Sequence, residues 1–270
     1  MPTCDLGGVT LHYQRAGERP PLLFISGTGG DLRQKPSVFD GPMARAFDVL
    51  AYDQRGLGQS SIPEGPYSMA DYADDAAGLL DQVGWDDCLV IGVSFGGMVA
   101  QEVALRHPSR VRRLVLACTS SGGAGGASYP LQDLVGLDPA ARGIRQLELV
   151  DTRWDEDYRR ADPARWQALL EGFAARQAEI GSPSPDQLRG HALQLEARSR
   201  HDTADRLHQI SCPTLVCGGR FDGIAPARNS EFLAATIPGA ELAMFDGGHM
   251  FMVQDRAAIP AMIEFLSREG

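Results

Sequence analysis

Gly92-Val93-Ser94-Phe95-Gly96 is the stretch of sequence that decides the fold of this chain. It lies between an apolar run at residues 88–91 and a helical pattern that begins at Gly97. A serine at a sharp strand-to-helix turn has a strained backbone and points its hydroxyl group into a cleft. The flanking glycines avoid collisions with the neighbouring strand and helix. Because 31 of the 270 residues are glycine, the context of the motif along the chain has to decide its meaning.

Short apolar runs alternate with helical patterns on both sides of this pentapeptide. Strands are predicted at residues 22–25, 48–52, 88–91, 111–117, 214–217 and 241–245. Helices are predicted at residues 69–83, 97–107, 227–236 and 256–267. Short strands that are apolar throughout are typical of a sheet buried on both faces. The alternation therefore predicts a mostly parallel sheet covered by helices, an α/β fold.

The alternation stops after about residue 119 and resumes near Pro213. Residues 120–128 are rich in glycine and serine, and three amphipathic stretches follow at 139–150, 163–180 and 186–200. Each stretch begins at or near proline or aspartate, as helices often do. We predict a core domain of residues 1–120 and 203–270. Residues 121–202 are predicted to form a helical cap, or lid, over the active edge of the sheet.

Composition and charge exclude several classes of partner. The chain is 43% hydrophobic and 22% charged, as ordinary globular proteins are. Its formal net charge of −10 argues against nucleic acid or an anionic membrane surface as a partner. No segment approaches the roughly 20 apolar residues of a membrane span. A small-molecule substrate is the expected partner, and the sequence makes no prediction of oligomeric state.

The five cysteines point to a reducing compartment. Their number is odd, and three of them lie in or beside apolar strand-like runs, which predicts buried reduced thiols. The N-terminal residues show no signal-peptide pattern, so a cytoplasmic protein is expected. No spacing of cysteines or histidines is typical of a metal site, and neither a metal nor a cofactor is expected.

Three side chains with catalytic chemistry directly follow predicted strands: Ser94, Asp222 and His249. The carboxyl ends of parallel strands lie along one edge of a sheet, so the three can converge there. An imidazole can take the proton of a serine hydroxyl, and a carboxylate on its other nitrogen fixes the tautomer and stabilises the imidazolium. The order serine, acid, histidine is that of one fold class among triad enzymes. Asp246 is a possible substitute acid but stands too near His249 in the sequence to be favoured.

The remaining histidines are predicted to be structural or exposed: His12, His107, His191, His201 and His208.

With these motifs the chain resembles the α/β-hydrolase superfamily, in particular its compact branch of esterases, lactonases and meta-cleavage-product hydrolases. The resemblance runs over nearly the full length and is weakest in the predicted cap. Residues 53–60 are similar to the family's turn after its fourth strand, and residues 207–214 to its entry into the strand before the acid. The resemblance implies an α/β-hydrolase fold with a mostly parallel eight-stranded sheet, helices on both faces and a helical cap insertion.

Hydrolysis through a serine nucleophile also needs an oxyanion hole of two preorganised N–H donors. Phe95, the residue after the nucleophile, supplies one donor at the start of its helix, where the dipole favours negative charge. By resemblance the second donor comes from the loop after the third strand, with Thr28 the best match and Gly29 the next. The family usually has His-Gly at the start of this loop, whereas this chain has Ser26-Gly27.

The resemblance implies a serine hydrolase that cleaves a small, mostly apolar carboxylic ester or lactone through an acyl-enzyme intermediate. Hydrolysis of a carbon–carbon bond in a vinylogous diketone is the alternative within the enzyme class. From a different class, the alternative is a ligand receptor with slow turnover on the same fold. Candidates for the substrate pocket are Gly29, Met250, Trp154 and Trp166, although the two tryptophans could equally pack the cap onto the sheet. Activity is expected to fall in acid, because His249 must be neutral to accept a proton.

Overall fold

Eight strands form one sheet in the computed structural model, which describes residues 2–18, 20–181 and 183–268. The strands are β1 (Thr3–Asp5), β2 (Thr10–Ala16), β3 (Pro21–Ile25), β4 (Asp48–Tyr52), β5 (Cys88–Val93), β6 (Val111–Ala117), β7 (Thr214–Gly219) and β8 (Glu241–Phe245). Their order in the sheet is β1-β2-β4-β3-β5-β6-β7-β8. The pairs β1–β2 and β2–β4 are antiparallel, and the remaining pairs are parallel. The prediction of a mostly parallel, eight-stranded sheet is confirmed.

Helices cover both faces of this sheet. Within the described residues they are α1 (Pro42–Ala46), α2 (Met69–Gln82), α3 (Phe95–Arg106), α4 (Pro139–Val150), α5 (Glu156–Ala161), α6 (Pro163–Ile180), α7 (Pro185–Ser199), α8 (Ala227–Thr236), α9 (Phe251–Gln254) and α10 (Ala258–Leu266). Side chains of α2, α3 and α8 form one apolar cluster with the sheet. Side chains of α1, α9 and α10 form a second cluster with it. The predicted α/β fold is confirmed by this layering.

Strand β5, at the centre of the sheet, is made of apolar residues and glycine because both of its faces are buried. In β5, Val90 belongs to the first cluster and its neighbour Ile91 to the second, since successive side chains of a strand point to opposite faces. Both side chains are inaccessible to solvent. Burying each such side chain contributes about 1.5–3 kcal/mol. The sheet centre therefore anchors the strand that leads directly into the Ser94 turn.

Four helices, α4 to α7, lie between β6 and β7, where the sequence predicts the cap. The predicted bounds of α4 and α6 match those observed, and α7 begins and ends one residue earlier than predicted. Helix α5 was not expected. Because α5 has no buried residue, its sequence lacks the apolar spacing from which a helix is predicted. Its N-terminus is capped by a hydrogen bond from the Tyr158 N–H group to the Asp155 carboxylate.

The end of α4 is tied to the two loops that follow β7 and β8. The Gly223 N–H group donates to the Leu149 carbonyl oxygen at 3.0 Å, and the His249 N–H group donates to the Val150 carbonyl oxygen at 2.6 Å. A Cβ atom at Gly248 would lie 1.9 Å from that same Val150 oxygen, so only glycine allows this approach. These contacts bring the loops that carry Asp222 and His249 together at the end of α4.

Among the described residues, no helix combines the length and the apolar character needed to cross a membrane.

Candidate active site

Ser94 occupies a strained turn between β5 and α3. Its φ of 55° and ψ of −117° lie in a region that residues with a side chain rarely adopt. Two hydrogen bonds hold this conformation: the Ser94 N–H group donates to the Ala117 carbonyl oxygen at 2.8 Å, and the Thr119 hydroxyl group donates to the Ser94 carbonyl oxygen at 2.7 Å. The side chain is directed to the edge of the sheet, and the residue is 8% exposed.

The two glycines of the pentapeptide are required by close backbone contacts. A Cβ atom at Gly92 would lie 2.3 Å from the Gly96 carbonyl oxygen. A Cβ atom at Gly96 would lie 2.1 Å from the carbonyl oxygen of Ile25, at the end of β3. The steric reason for glycine that the motif suggested is therefore present at both positions.

Ser94, His249 and Asp222 form a continuous chain of hydrogen bonds. Nε2 of His249 lies 3.0 Å from Ser94 Oγ, and Nδ1 lies 2.8 Å from Oδ2 of Asp222. The other carboxylate oxygen, Oδ1, accepts from the N–H groups of Ile224 and Ala225 at 2.8 Å each. An ionised carboxylate only accepts hydrogen bonds, so the imidazole proton is assigned to Nδ1 and Nε2 faces the serine as an acceptor. This arrangement can remove a proton from Ser94.

Asp246, the alternative acid, does not approach the imidazole ring. Its side chain is 73% exposed and accepts from Arg153 Nη1 at 3.0 Å. Arg153 also holds the buried Asp151, which follows α4. Asp246 thus contributes to a surface ion-pair network, and Asp222 is the carboxylate that meets His249.

The loop after β3 is the predicted source of the second oxyanion donor. Residues Gly27 to Gly30 form a turn closed by a 3.2 Å hydrogen bond, with Gly29 at a φ of 71° that favours glycine. The Gly29 N–H group donates to Oε1 of Gln194 at 2.9 Å. This N–H group is therefore already occupied in this conformation. The Thr28 hydroxyl oxygen is buried and has no hydrogen-bond partner among the described residues.

The side chain of Phe95 packs in the core, and its backbone N–H group stands at the start of α3. The ring is fully buried and meets Tyr72 edge-on, with centroids 5.0 Å apart. Its N–H group lies in the first turn of α3, where a helix provides no internal acceptor. The positive end of the helix dipole adds to its preference for negative charge.

Two residues of α7, Gln194 and His191, contact the loop of residues 27–30, the predicted source of the second oxyanion donor. Neither residue was placed at the site by the sequence analysis. Gln194 is fully buried and binds Gly29. His191, which is predicted to be structural or exposed, is half-buried beside Gly29: a Cβ atom built on Gly29 would lie 3.2 Å from Cε1 of His191. Burial lowers the pKa of His191, against the opposing charge of Asp31. The sequence signal that could have identified this pair on α7 is the spacing of three residues, which places both side chains on one face of a helix.

Replacing Gln194 by methionine is expected to lower kcat about 10-fold or more with little change in KM, because the oxyanion loop loses its anchor to α7. Steady-state kinetics with a neutral p-nitrophenyl ester measure this. The matched control is Gln167→Met on the exposed surface of α6, where the side chain only bonds Glu171, and it should behave as wild type. A rise in KM with kcat unchanged would show that Gln194 binds substrate and does not position the loop.

Cys118 is a buried thiol beside the triad. Its Sγ atom and the ligand atoms of Asp222 and His249 all lie within 4.8 Å of one another. Burial raises the pKa of the Cys118 thiol well above its usual value, so the sulfur stays protonated. A metal at this place would need the Cys118 thiolate, Asp222 and His249 as ligands. Asp222 and His249 already bond each other, and His249 also bonds Ser94. The donor set fits a hydrogen-bonded relay better than a metal centre.

The predicted pocket residues occupy different environments. Met250 follows His249 and is 40% exposed. Trp166 is buried in the cap region beneath the Arg159 guanidinium, whose carbon lies 5.4 Å from the ring centroid. Trp154 is half-buried just after α4. The assignment of Met250, Trp154 and Trp166 to the substrate pocket stays a prediction.

Comparisons with known proteins agree with this geometry. The family model described as alpha/beta hydrolase fold matches residues 20–255. A poly(3-hydroxyalkanoate) depolymerase from Ectopseudomonas oleovorans is 32% identical over 92% of this chain and 85% of its own length. A 2-hydroxymuconate semialdehyde hydrolase from Pseudomonas putida is 31% identical over 94% of this chain and 88% of its own length.

A solved structure, the enol-lactonase from Burkholderia xenovorans LB400, is 25% identical to this chain. The match covers 99% of this chain and 100% of the enol-lactonase chain, with a TM-score of 0.76. The match of the family model over most of the sequence, together with the relatives above 30% identity, establishes the family. The chain belongs to the α/β hydrolase fold family, and it is a hydrolase.

Proposed function

We propose that this hydrolase cleaves a small, mostly apolar carboxylic ester or lactone, with Ser94 as nucleophile, His249 as base and Asp222 as the acid that orients the base. The observation that carries the proposal is the continuous hydrogen-bonded chain from Asp222 through His249 to Ser94. A buried acid, an imidazole with one free acceptor nitrogen and a strained serine are the parts that acyl transfer needs.

The proposed reaction has two stages. Ser94 Oγ attacks the carbonyl carbon while His249 Nε2 takes the hydroxyl proton, and the oxyanion is stabilised by the N–H groups of Phe95 and Thr28. The imidazolium then gives its proton to the leaving alkoxide oxygen as the carbon–oxygen bond breaks. Water next attacks the acyl group, losing its proton to His249, and the serine leaves with that proton as the acid is released.

The relatives support the choice of bond. An enol-lactonase, as its name says, opens a lactone, which is a cyclic ester. Hydrolysis of a carbon–carbon bond stays the second candidate, because the chain resembles meta-cleavage-product hydrolases and a 2-hydroxymuconate semialdehyde hydrolase is among its relatives. Ester or lactone cleavage is preferred because an alkoxide is a better leaving group than a carbanion, and His249 can protonate it directly.

We propose that residues 121–202 form the cap of a core made of residues 1–120 and 203–270. Helices α4 to α7 lie in that interval, and its Gln194 and Val150 contact the loops of the candidate oxyanion hole and of His249. A cap with such contacts would shape the pocket and exclude water during the reaction. The cytoplasmic location is likewise proposed, and the five unpaired cysteines are in keeping with a reducing compartment.

Trapping with an aryl alkylphosphonate tests the proposal. The expected result is one phosphonyl group per chain on the peptide that contains Ser94, found by mass spectrometry. In parallel, esters and lactones of graded acyl size and one vinylogous diketone are screened for repeated turnover. Turnover of the diketone alone would favour carbon–carbon hydrolysis, and a single stoichiometric burst with every compound would indicate the receptor.

A further inference from the structure

A small polar cavity lies against helix α3, the helix that begins at the Ser94 turn. It has a volume of about 110 Å³ and lies between α3, the loop after β6 and the end of α7. Among its lining residues are Met98, Ser120, Ser128, Arg198 and His201. Met98 lies one helical turn after Ser94, so the cavity adjoins the nucleophile turn.

Arg198 is a buried arginine in the wall of this cavity, and among the described residues it has no acidic partner. The residue is 6% exposed, and its Nη1 atom donates to the Tyr129 carbonyl oxygen at 2.9 Å. Its Nε and Nη2 atoms have no hydrogen-bond partner among the described residues. Burial lowers the pKa of Arg198 to about 10, which still leaves the guanidinium charged at neutral pH. A buried charge without a counter-ion is costly and is rarely retained without a role.

His201 faces the same cavity as a neutral group. It is 6% exposed, and among the described residues neither ring nitrogen has a partner at full hydrogen-bond geometry, although the Ser120 backbone lies near enough to the ring to favour its charged form. Burial lowers the pKa of His201 to about 4, although the charge of Glu102 opposes this shift. The hydroxyl groups of Ser120 and Ser128, 2.9 Å apart, share one hydrogen bond at the cavity wall. The cavity therefore combines one positive charge with several neutral hydrogen-bonding groups.

We propose that this cavity is a binding subsite for a carboxylate group, with Arg198 as its charged partner and His201 as a neutral donor. The two unpartnered atoms, Nε and Nη2, lie on the edge of the guanidinium that binds a carboxylate in parallel hydrogen bonds. Arg55 uses the same two atoms to hold Asp75, each at 2.7 Å. The single positive charge of Arg198 balances one carboxylate, whereas a phosphate dianion would bring a second, uncompensated charge into a buried cavity.

The carboxylate has two possible sources, the far end of the substrate or a separate small acid. The cavity connects to the candidate acid through three hydrogen bonds: Arg198 to the Tyr129 carbonyl oxygen, the Tyr129 N–H group to the Ile224 carbonyl oxygen at 2.7 Å, and the Ile224 N–H group to Asp222 at 2.8 Å. This proximity favours the substrate as the source. That assignment rests on the proposed ester or lactone hydrolysis, whereas carboxylate binding itself does not.

The binding experiment uses the Ser94→Ala variant, so that no turnover is required. Acetate is titrated calorimetrically into Ser94→Ala alone and into the same variant with Arg198→Met or Arg200→Met added. Arg200 is the matched control, an exposed arginine that pairs with Glu196 on the surface. Saturable binding that is lost only with Arg198→Met supports the subsite. Equal binding in all three variants, or tighter binding of inorganic phosphate than of acetate, overturns it.

The kinetic experiment compares p-nitrophenyl butyrate with p-nitrophenyl hydrogen glutarate, which carries a terminal carboxylate. Arg198→Met is expected to lower kcat/KM for the glutarate ester about 10- to 100-fold, with little change for the neutral ester. Arg198→Lys keeps the positive charge but lacks the paired N–H donors of the guanidinium, so it should retain part of the preference for the glutarate ester. Acetate binding without any preference for the glutarate ester assigns the site to a separate acid. Failure of the wild type to hydrolyse either ester contradicts the proposed function and leaves the binding result standing.

Thermal unfolding separates a binding role of Arg198 from a structural one. If the guanidinium serves a ligand, the Arg198→Met variant should melt at the same or a higher temperature, because a lone buried charge has been removed. A melting temperature several degrees lower, together with an unchanged substrate preference, would show that Arg198 is structural and overturn the inference.

Discussion

Replacing Ser94 by alanine is expected to lower kcat for a p-nitrophenyl ester by about 10⁵-fold or more, because the attacking oxygen is removed. The fold should be unchanged, since the hydroxyl oxygen contacts His249 at 3.0 Å and the turn is held by backbone bonds to Ala117 and Thr119. The measurement is the steady-state rate, with circular dichroism to show that the variant is folded. Turnover that survives in Ser94→Ala would remove this residue from the mechanism.

A Ser94→Gly variant provides the control for the strained turn. At a φ of 55° a glycine avoids the strain that a side chain causes. This variant should be as inactive as Ser94→Ala yet melt at a higher temperature, by a few degrees for a gain of about 1 kcal/mol. A lower melting temperature for Ser94→Gly would contradict a strained conformation at this position.

Replacing Asp222 by asparagine is expected to lower kcat by about 10³- to 10⁴-fold. Oδ1 of Asp222 accepts two N–H groups, those of Ile224 and Ala225. In the variant the amide oxygen has to keep that place, so its NH₂ group faces Nδ1 of His249. The imidazole then carries its proton on Nε2 and points a donor at Ser94, where an acceptor is needed.

The matched control for this change is Asp246→Asn. Asp246 also follows a strand that ends near the site, but its side chain is exposed and bonds Arg153. Its replacement should leave kcat within about two-fold of wild type, as for most surface substitutions. The opposite pattern, with Asp246→Asn inactive and Asp222→Asn active, would exchange the two acids. The kcat values of both variants are measured at the same pH and compared with that of the wild type.

Much of the fold could be predicted from the sequence because its signals are local. The apolar runs of β6 and β8 and the periodic patterns of α4, α6 and α8 matched the observed bounds. Strand β6 is buried along most of its length, α4 and α8 each bury one face, and burial imposes a regular spacing on apolar residues. Helix α5 and the short strand β1 lack such a pattern, since the first buries nothing and the second has one buried residue.

The candidate site was predicted only where its residues follow strands. Ser94, Asp222 and His249 each stand at the end of a parallel strand, so topology alone brings them to one edge. Their catalytic roles remain proposals. Gln194, His191 and Arg198 lie on α7, and in a helical pattern a polar residue that faces solvent cannot be told from one that faces a cavity.

By itself, the sequence determined the α/β hydrolase fold and the three strand-end side chains, among them Ser94 in its pentapeptide. The spacing of apolar residues predicts where the strands end. The carboxyl ends of parallel strands then lie together along one edge of the sheet. Only the tertiary structure decided that Asp222 bonds His249 while Asp246 bonds Arg153, and that Gln194 accepts from the Gly29 N–H group. It also decided that Arg198 is buried with no acidic partner in the part of the chain that the structure describes. Such pairings depend on how the insertion between β6 and β7 lies across the sheet, and long-range packing leaves no periodic trace in the sequence.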